Sequence, residues 1–261
     1  MNCPLVDERA RRWRRGAVVA ANGGLALALV AAVALLLAGA GHRFGWWSFG
    51  TGFQVLRWAT FGGIAAAVIS AAGLVIAPLR AQRRGMFRAL AGLIIGLAVA
   101  GVPLSYLQTA RSVPPIHDIT TNPEDPPEFE AIVPMRADAP NPVAYGGSPV
   151  AAQQREAYPD IVPADYAVAP ETAFEAALVA ADAMGWTVVA TDKAAGRIEA
   201  TDRTFWFGFV DDVVIRVRPT DAGSRVDVRS TSRVGVGDFG TNAARVRGYL
   251  QELEAQLEGT D

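Results

Sequence analysis

Charged residues disappear from the first part of the chain in three long gaps. No Asp, Glu, Lys or Arg occurs between Arg15 and Arg43, between Arg57 and Arg80, or between Arg88 and Arg111. Each gap exceeds the roughly 20 apolar residues that cross a bilayer. The pattern predicts three transmembrane helices, near 17–40, 58–78 and 88–108. The first run is longer than the apolar core of about 7–15 residues in a cleaved signal, and no A-x-A site precedes a polar start, so a retained helix is expected.

The pattern then changes. Residues 111–170 hold 12 of the 16 prolines, and segments such as RADAPNPVAYGGSP follow neither a helical nor a strand period, which predicts a linker or wrapping arm. As an undocked polyproline-like chain, 30 such residues would reach ~90 Å. Regular structure returns at Pro170. ETAFEAALVAADAMG sets Phe174, Leu178 and Ala181 on one face, with proline in the first turn and Gly185 as the stop. Four runs rich in β-branched residues follow, WTVVATD, GRIEATDRT, DVVIRVRP and SRVDVRSTSR, separated by turn residues and simplest to connect as a meander. TNAARVRGYLQELEAQL closes as a helix with Val246, Tyr249, Leu250, Leu253 and Leu257 on one side and Thr241 or Asn242 as its cap. The expectation is three transmembrane helices and then an α+β domain, a four-stranded antiparallel sheet flanked by two helices. The domain boundaries fall at 1–110 (membrane), 111–169 (arm) and 170–261 (α+β).

Alternation along the strands separates two sheet faces. Ile198, Ala200, Val213, Ile215, Val217, Val226 and Val228 share the face expected under the helices. Glu199, Arg216, Arg218, Arg225, Asp227 and Arg229 share the other, which is expected to be solvated unless the arm or a partner docks there.

Charge gives the helices a direction. The stretch RARRWRR and the loop at 79–88 are arginine-rich, whereas only Arg43 and Arg57 lie between the first two helices. Cationic loops stay in the cytoplasm, so the amino terminus is expected inside and the region beyond 111 outside, in the periplasm of a bacterial inner membrane. Trp46, Trp47, Phe49, Phe53 and Trp58 suit an outer aromatic belt, Trp13 and Phe87 an inner one. Residues 1–110 carry 11 arginines and 2 acids, a balance of +9, and residues 111–261 carry 13 cations and 24 acids, a balance of −11. An acidic exterior disfavours nucleic acid and anionic lipid surfaces as partners. The only cysteine, Cys3, follows no apolar run, so neither a disulfide in the exterior domain nor a lipoprotein anchor is expected. Gly92, Gly96 and Ala100 on the third helix, and Gly62, Gly63, Ala66 and Ala67 on the second, permit close helix contact, within this chain or with another membrane protein.

Candidate chemistry is sparse. PPIHDITTNPEDPP places His117 beside Asp118, but metal sites need three or four ligands on rigid elements, so no metal is expected and His117 and Asp118 are read as arm anchors. Asp211 and Asp212 in TFWFGFVDDVV are adjacent on a strand and point to opposite faces, which disfavours a shared catalytic role. Phe205, Trp206, Phe207 and Phe209 beside them are either core or a contact patch. GVGDFG at 235–240 reads G-x-G-x-x-G between a strand and a helix, yet no further strand pattern follows to complete a dinucleotide fold, so no cofactor is expected. A glycine-rich helix start with nearby arginines could still hold an anion: Arg233, Gly235, Gly237, Gly240, Arg245 and Arg247 are the candidates. The alternative pairs these arginines with acids such as Asp238 or Asp227. The sequence contains no G-x-S-x-G, H-E-x-x-H or phosphate-binding loop.

PPIHDITTNPEDPP, YPDIVP, and the run from GRIEATDRTFWFGFVDDVVIRVRP through GSRVDVRSTSRVGVGDFGTNAARVR resemble the bacterial family catalogued as domain of unknown function 1499, over about residues 111–257. The resemblance implies a single exterior domain that includes the arm, and no catalytic residue. The function expected is non-catalytic, an envelope protein whose exterior domain binds a protein partner or an anionic envelope ligand. The alternatives are a membrane-anchored hydrolase using His117 and Asp118 with Asp211 or Asp212, and an accessory subunit that meets a membrane complex through the third helix.

Overall fold

A computed structural model describes residues 4–76 and 83–259 and divides into two compact units. The first comprises residues 1–108 with Trp206–Gly208. Its helices are α1 (Pro4–Arg43), α2 (Phe49–Ile76) and α3 (Arg83–Ser112). The stretches Arg15–Arg43, Phe49–Val75 and Arg84–Ser112 are each long and apolar enough to cross a membrane. α2 starts nine residues before the predicted apolar run, because aromatic and small polar residues extend a helix without lengthening its hydrophobic stretch. Of the arginines that set the expected orientation, Arg80 and the side chains of Arg9, Arg11, Arg12, Arg14 and Arg83 lie outside the described residues, as does Cys3.

Small residues decide how these helices meet. A Cβ on Gly96 would stand 2.6 Å from the Gly63 carbonyl oxygen and 2.8 Å from the Ala67 nitrogen. Ser70 of α2, fully buried, faces both Gly24 of α1 and Gly92 of α3. The glycine-lined face of α3 is therefore used for packing within the unit. Phe207 is buried in this unit beside Phe53, ring centroids 5.2 Å apart, whereas Phe205 is 91% exposed.

The second unit spans residues 109–205 and 209–261. Its strands are β1 (Asp118–Thr120), β2 (Ala164–Tyr166), β3 (Thr187–Asp192), β4 (Arg197–Arg203), β5 (Val210–Thr220) and β6 (Gly223–Ser232). Its α-helices are α4 (Ser148–Ala157), α5 (Pro170–Ala183) and α6 (Thr241–Glu258), and a 3-10 turn occupies Val133–Arg136. Every pairing is antiparallel, in the order β1-β6-β5-β4-β3, with β2 also on β6. The sheet thus has six strands where the sequence predicted four. The two extra strands come from the proline-rich segment, and three residues are too few to show a period.

α5 and α6 cover the predicted dry face. Ile198, Ala200, Val213, Ile215, Val217, Val226 and Val228 pack in one core with Phe174, Ala177, Val246, Tyr249 and Leu253. Gly185, at φ +73°, ends α5 in a left-handed turn. Its N–H donates to Asp182 and that of Trp186 to Ala181, the paired bonds of a Schellman motif, in a conformation that glycine adopts without steric cost. The opposite face is not solvated as expected. Glu199, Asp212, Asp227 and Arg229 are all buried, because residues 123–145 lie over that face and Phe129 and Ile132 close on Val214.

Candidate functional site

The segment over the polar face is held by charge and backbone polarity. Glu199 of β4 accepts three successive backbone N–H groups, from Glu130 and Ala131 on Oε1 (2.9 and 3.0 Å) and from Ile132 on Oε2 (2.9 Å). A carboxylate is well matched to unpaired N–H groups entering a helical turn. Arg136 donates to Asp212 at 2.5 Å. Asp125 receives both Arg216 and Arg218, which also share Asp227 on β6. Gln154 of α4 accepts from the Thr120 N–H at 3.0 Å and donates to the Thr120 carbonyl at 2.6 Å, so a side-chain amide pairs the outer edge of β1 as a further strand would.

His117 and Asp118 go separate ways. His117 Nδ1 meets the Val236 carbonyl oxygen at 3.2 Å, and the His117 carbonyl accepts from Asn242 and from the Ser232 N–H. Asp118 is buried against Arg229, with contacts of 2.9 and 2.7 Å. Asp211 faces α6 and accepts from Arg245 at 2.7 Å. Asp212 faces the overlying segment and binds Arg136 and Arg233. The His117 ring contact is thus with a backbone carbonyl, and no group of three or more potential metal ligands occurs among the described residues. The geometry gives the hydrolase reading no support.

The candidate anion loop is provided for from within. Arg233 grips Asp212 through Nε and Nη2 (2.9 and 2.8 Å) and donates to the Met135 carbonyl. Arg245 binds Asp202 and Asp211 and joins a buried network with Ser230 and Asn242. Arg247 grips Asp160 and lies over Tyr158. These pairs explain two arginines in the first turns of a helix whose dipole disfavours them. Gly235 takes a positive φ and lends its carbonyl to Asn141, Gly237 runs close to Pro115, and Gly240 starts α6 at φ +79°. The helix start is bonded by Asp238, not by Thr241 or Asn242: its carboxylate accepts the N–H of Gly240 (2.9 Å) and of Asn242 (2.7 Å). Burial pushes the Asp238 carboxyl above its ordinary range, against the lowering effect of those two bonds.

The overlying segment does not close the polar face completely. A groove of 860 Å³ runs between residues 123–129 on one side and residues 143–148 with α4 on the other. On its floor the Arg229 guanidinium lies between the rings of Phe129 and Tyr145, 5.2 and 5.5 Å from their centroids. Arg229 is fully engaged with Asp118 and the carbonyls of Pro127 and Val143. Glu124 and Arg155 form an exposed ion pair across the two walls. The Tyr145 hydroxyl is shielded from solvent yet meets no hydrogen-bond partner among the described residues, and desolvation, with the charge of Asp118 second, pushes its pKa up to about 12.

The sequence reading missed Gln154, Glu199 as a clamp, and the Phe129–Arg229–Tyr145 stack. A signal for α4 existed: a proline one residue into a run with Ala151, Gln154 and Tyr158 spaced three and four apart. A family model described as "Protein of unknown function (DUF1499)" matches residues 118–253. No curated protein matches the chain.

Proposed function

The chain belongs to the DUF1499 family of proteins of unknown function, and from that premise we propose that it is a non-catalytic, membrane-anchored binding protein of the bacterial envelope. In this reading residues 1–110 form the anchor in the inner membrane with the amino terminus in the cytoplasm. Residues 111–169 are an arm that completes the periplasmic domain at 170–261. The partner is another protein, met in the groove that the arm builds over the sheet. One observation carries this reading: the arginines and carboxylates of the polar face are consumed by one another, while the 860 Å³ groove is left open.

That observation also favours one of the two ligand classes. An anionic envelope ligand needs available cations, and the six candidates at 233–247 have theirs paired with Asp212, Asp202, Asp211 and Asp160. A protein partner needs shape and apolar contact with a polar rim, which the groove supplies.

A photoreactive amino acid placed at Ala144, which is exposed and lines the groove, tests the reading in native membranes. The expected result is a discrete adduct whose crosslinked segment is identified by mass spectrometry and which Glu128→Lys removes. Adducts with lipid alone, or none, overturn it. Sidedness is tested separately: a fusion after Glu258 should show alkaline phosphatase activity and leave green fluorescent protein dark.

A further inference from the structure

We propose that the groove is a site for an extended, basic peptide segment of the partner chain, an inference that rests on the binding role above and specifies its ligand. The volume of 860 Å³ falls within the range of about 300–1,000 Å³ typical of ligand pockets. Shape alone would admit many occupants, and charge narrows them.

The groove is bordered by Glu124 and Glu128. Arg155 partners Glu124, whereas Glu128 is exposed and makes no ion pair among the described residues. The Arg229 charge is matched by Asp118. The edge is therefore negative on balance, within a region that carries 24 acids against 13 cations. An incoming guanidinium or ammonium would pair with Glu128 and compete with Arg155 for Glu124, an exposed contact of low strength. An incoming anion would meet two carboxylates and cations already engaged.

The wall of the groove asks for a chain and not a small cation. Pro123, Pro126 and Val143 give an apolar wall along the groove, of the kind that receives extended, proline-containing segments beside aromatic rings.

The full chain in phosphatidylcholine nanodiscs, titrated with a fluorescent decapeptide of alternating Pro and Arg, tests the inference by anisotropy. Binding is expected, at least tenfold weaker when Glu replaces Arg in the peptide. Glu128→Lys should weaken it about tenfold, while Glu258→Lys, the same charge change away from the groove, should leave it within twofold. Equal binding of both peptides, no binding of either, equal effects of the two Lys variants, or displacement by spermidine at the concentration of the peptide each overturn the peptide assignment. If the Ala144 crosslink to a protein persists while the peptides fail, only the ligand class is lost; if that crosslink fails as well, the binding role goes with it.

Discussion

Asp118 of β1 holds Arg229 of β6 through both carboxylate oxygens, at 2.9 and 2.7 Å, and both side chains are buried. The two residues are diagonal neighbours across the strand pair, since Thr120 is the residue opposite Arg229. Removing one partner of such a pair leaves an uncompensated charge in the interior, which costs about 3–5 kcal/mol. Asp118→Ala should lower stability by that amount in thermal unfolding of the detergent-solubilised chain. The double variant Asp118→Leu/Arg229→Met should lose less than Asp118→Ala alone. A double variant as unstable as the sum of the two single ones contradicts the assignment of the loss to the stranded charge.

Gln154 offers a smaller and more local effect. Gln154→Ala leaves the N–H and carbonyl of Thr120 without their present partners, at a cost of about 1–3 kcal/mol. Hydrogen exchange of Thr120 and its neighbours in β1 should accelerate while the exchange of β5 stays unchanged. Gln154→Glu should be worse than Gln154→Ala, because a carboxylate oxygen would face the Thr120 carbonyl.

Acid should loosen the domain through its surface pairs. The hydrogen bond from Arg247 holds the Asp160 carboxyl below its usual range, and that from Arg225 does the same for Asp165. A depressed folded-state pKa adds stability above the unfolded value, near 3.8, and that stability is lost as pH falls through the folded value. Stability should therefore be insensitive to these groups from pH 7 to about 5 and fall below about 4. Both acids are exposed, so the slope should be shallow and should diminish further in 1 M salt. The double variant Asp160→Asn/Asp165→Asn should show a smaller acid loss than the unsubstituted chain when both are followed by chemical denaturation.

Within the helical unit, Gly96 and Gly101 make a matched comparison on one helix. A Cβ at Gly96 collides with the backbone of α2, whereas one at Gly101 meets nothing within 4 Å. Gly96→Val should lower the unfolding temperature in detergent by several degrees. Gly101→Ala should leave it unchanged or raise it slightly, since alanine is the better helix former by about 1 kcal/mol.

Much of this architecture is legible in the residues themselves. The three uncharged gaps give the helices, and strict alternation at Val213, Ile215 and Val217 gives the face that α5 and α6 cover. The opposed directions of Asp211 and Asp212 follow from the strand period alone. What was not legible depends on contacts far apart in sequence. Nothing near Glu199 announces that its carboxylate will accept the N–H groups of residues about 68 positions earlier. The edge strands at 118–120 and 164–166 are selected by β6, not by their own composition. The groove exists only because Phe129 and Tyr145 arrive from two segments at one arginine.

The pairing of β1 and β2 along β6, closed at Thr120 by an amide from α4, bears on how copies of the domain would meet. A bare sheet margin recruits further copies edge to edge and grows into insoluble ribbons. Here the margin beyond β6 is limited to two three-residue strands, one of them capped at Thr120, and the opposite strand, β3, is interrupted by a register shift between Val188 and Ala190. Short, partly capped edges of this kind disfavour templating of one copy by another.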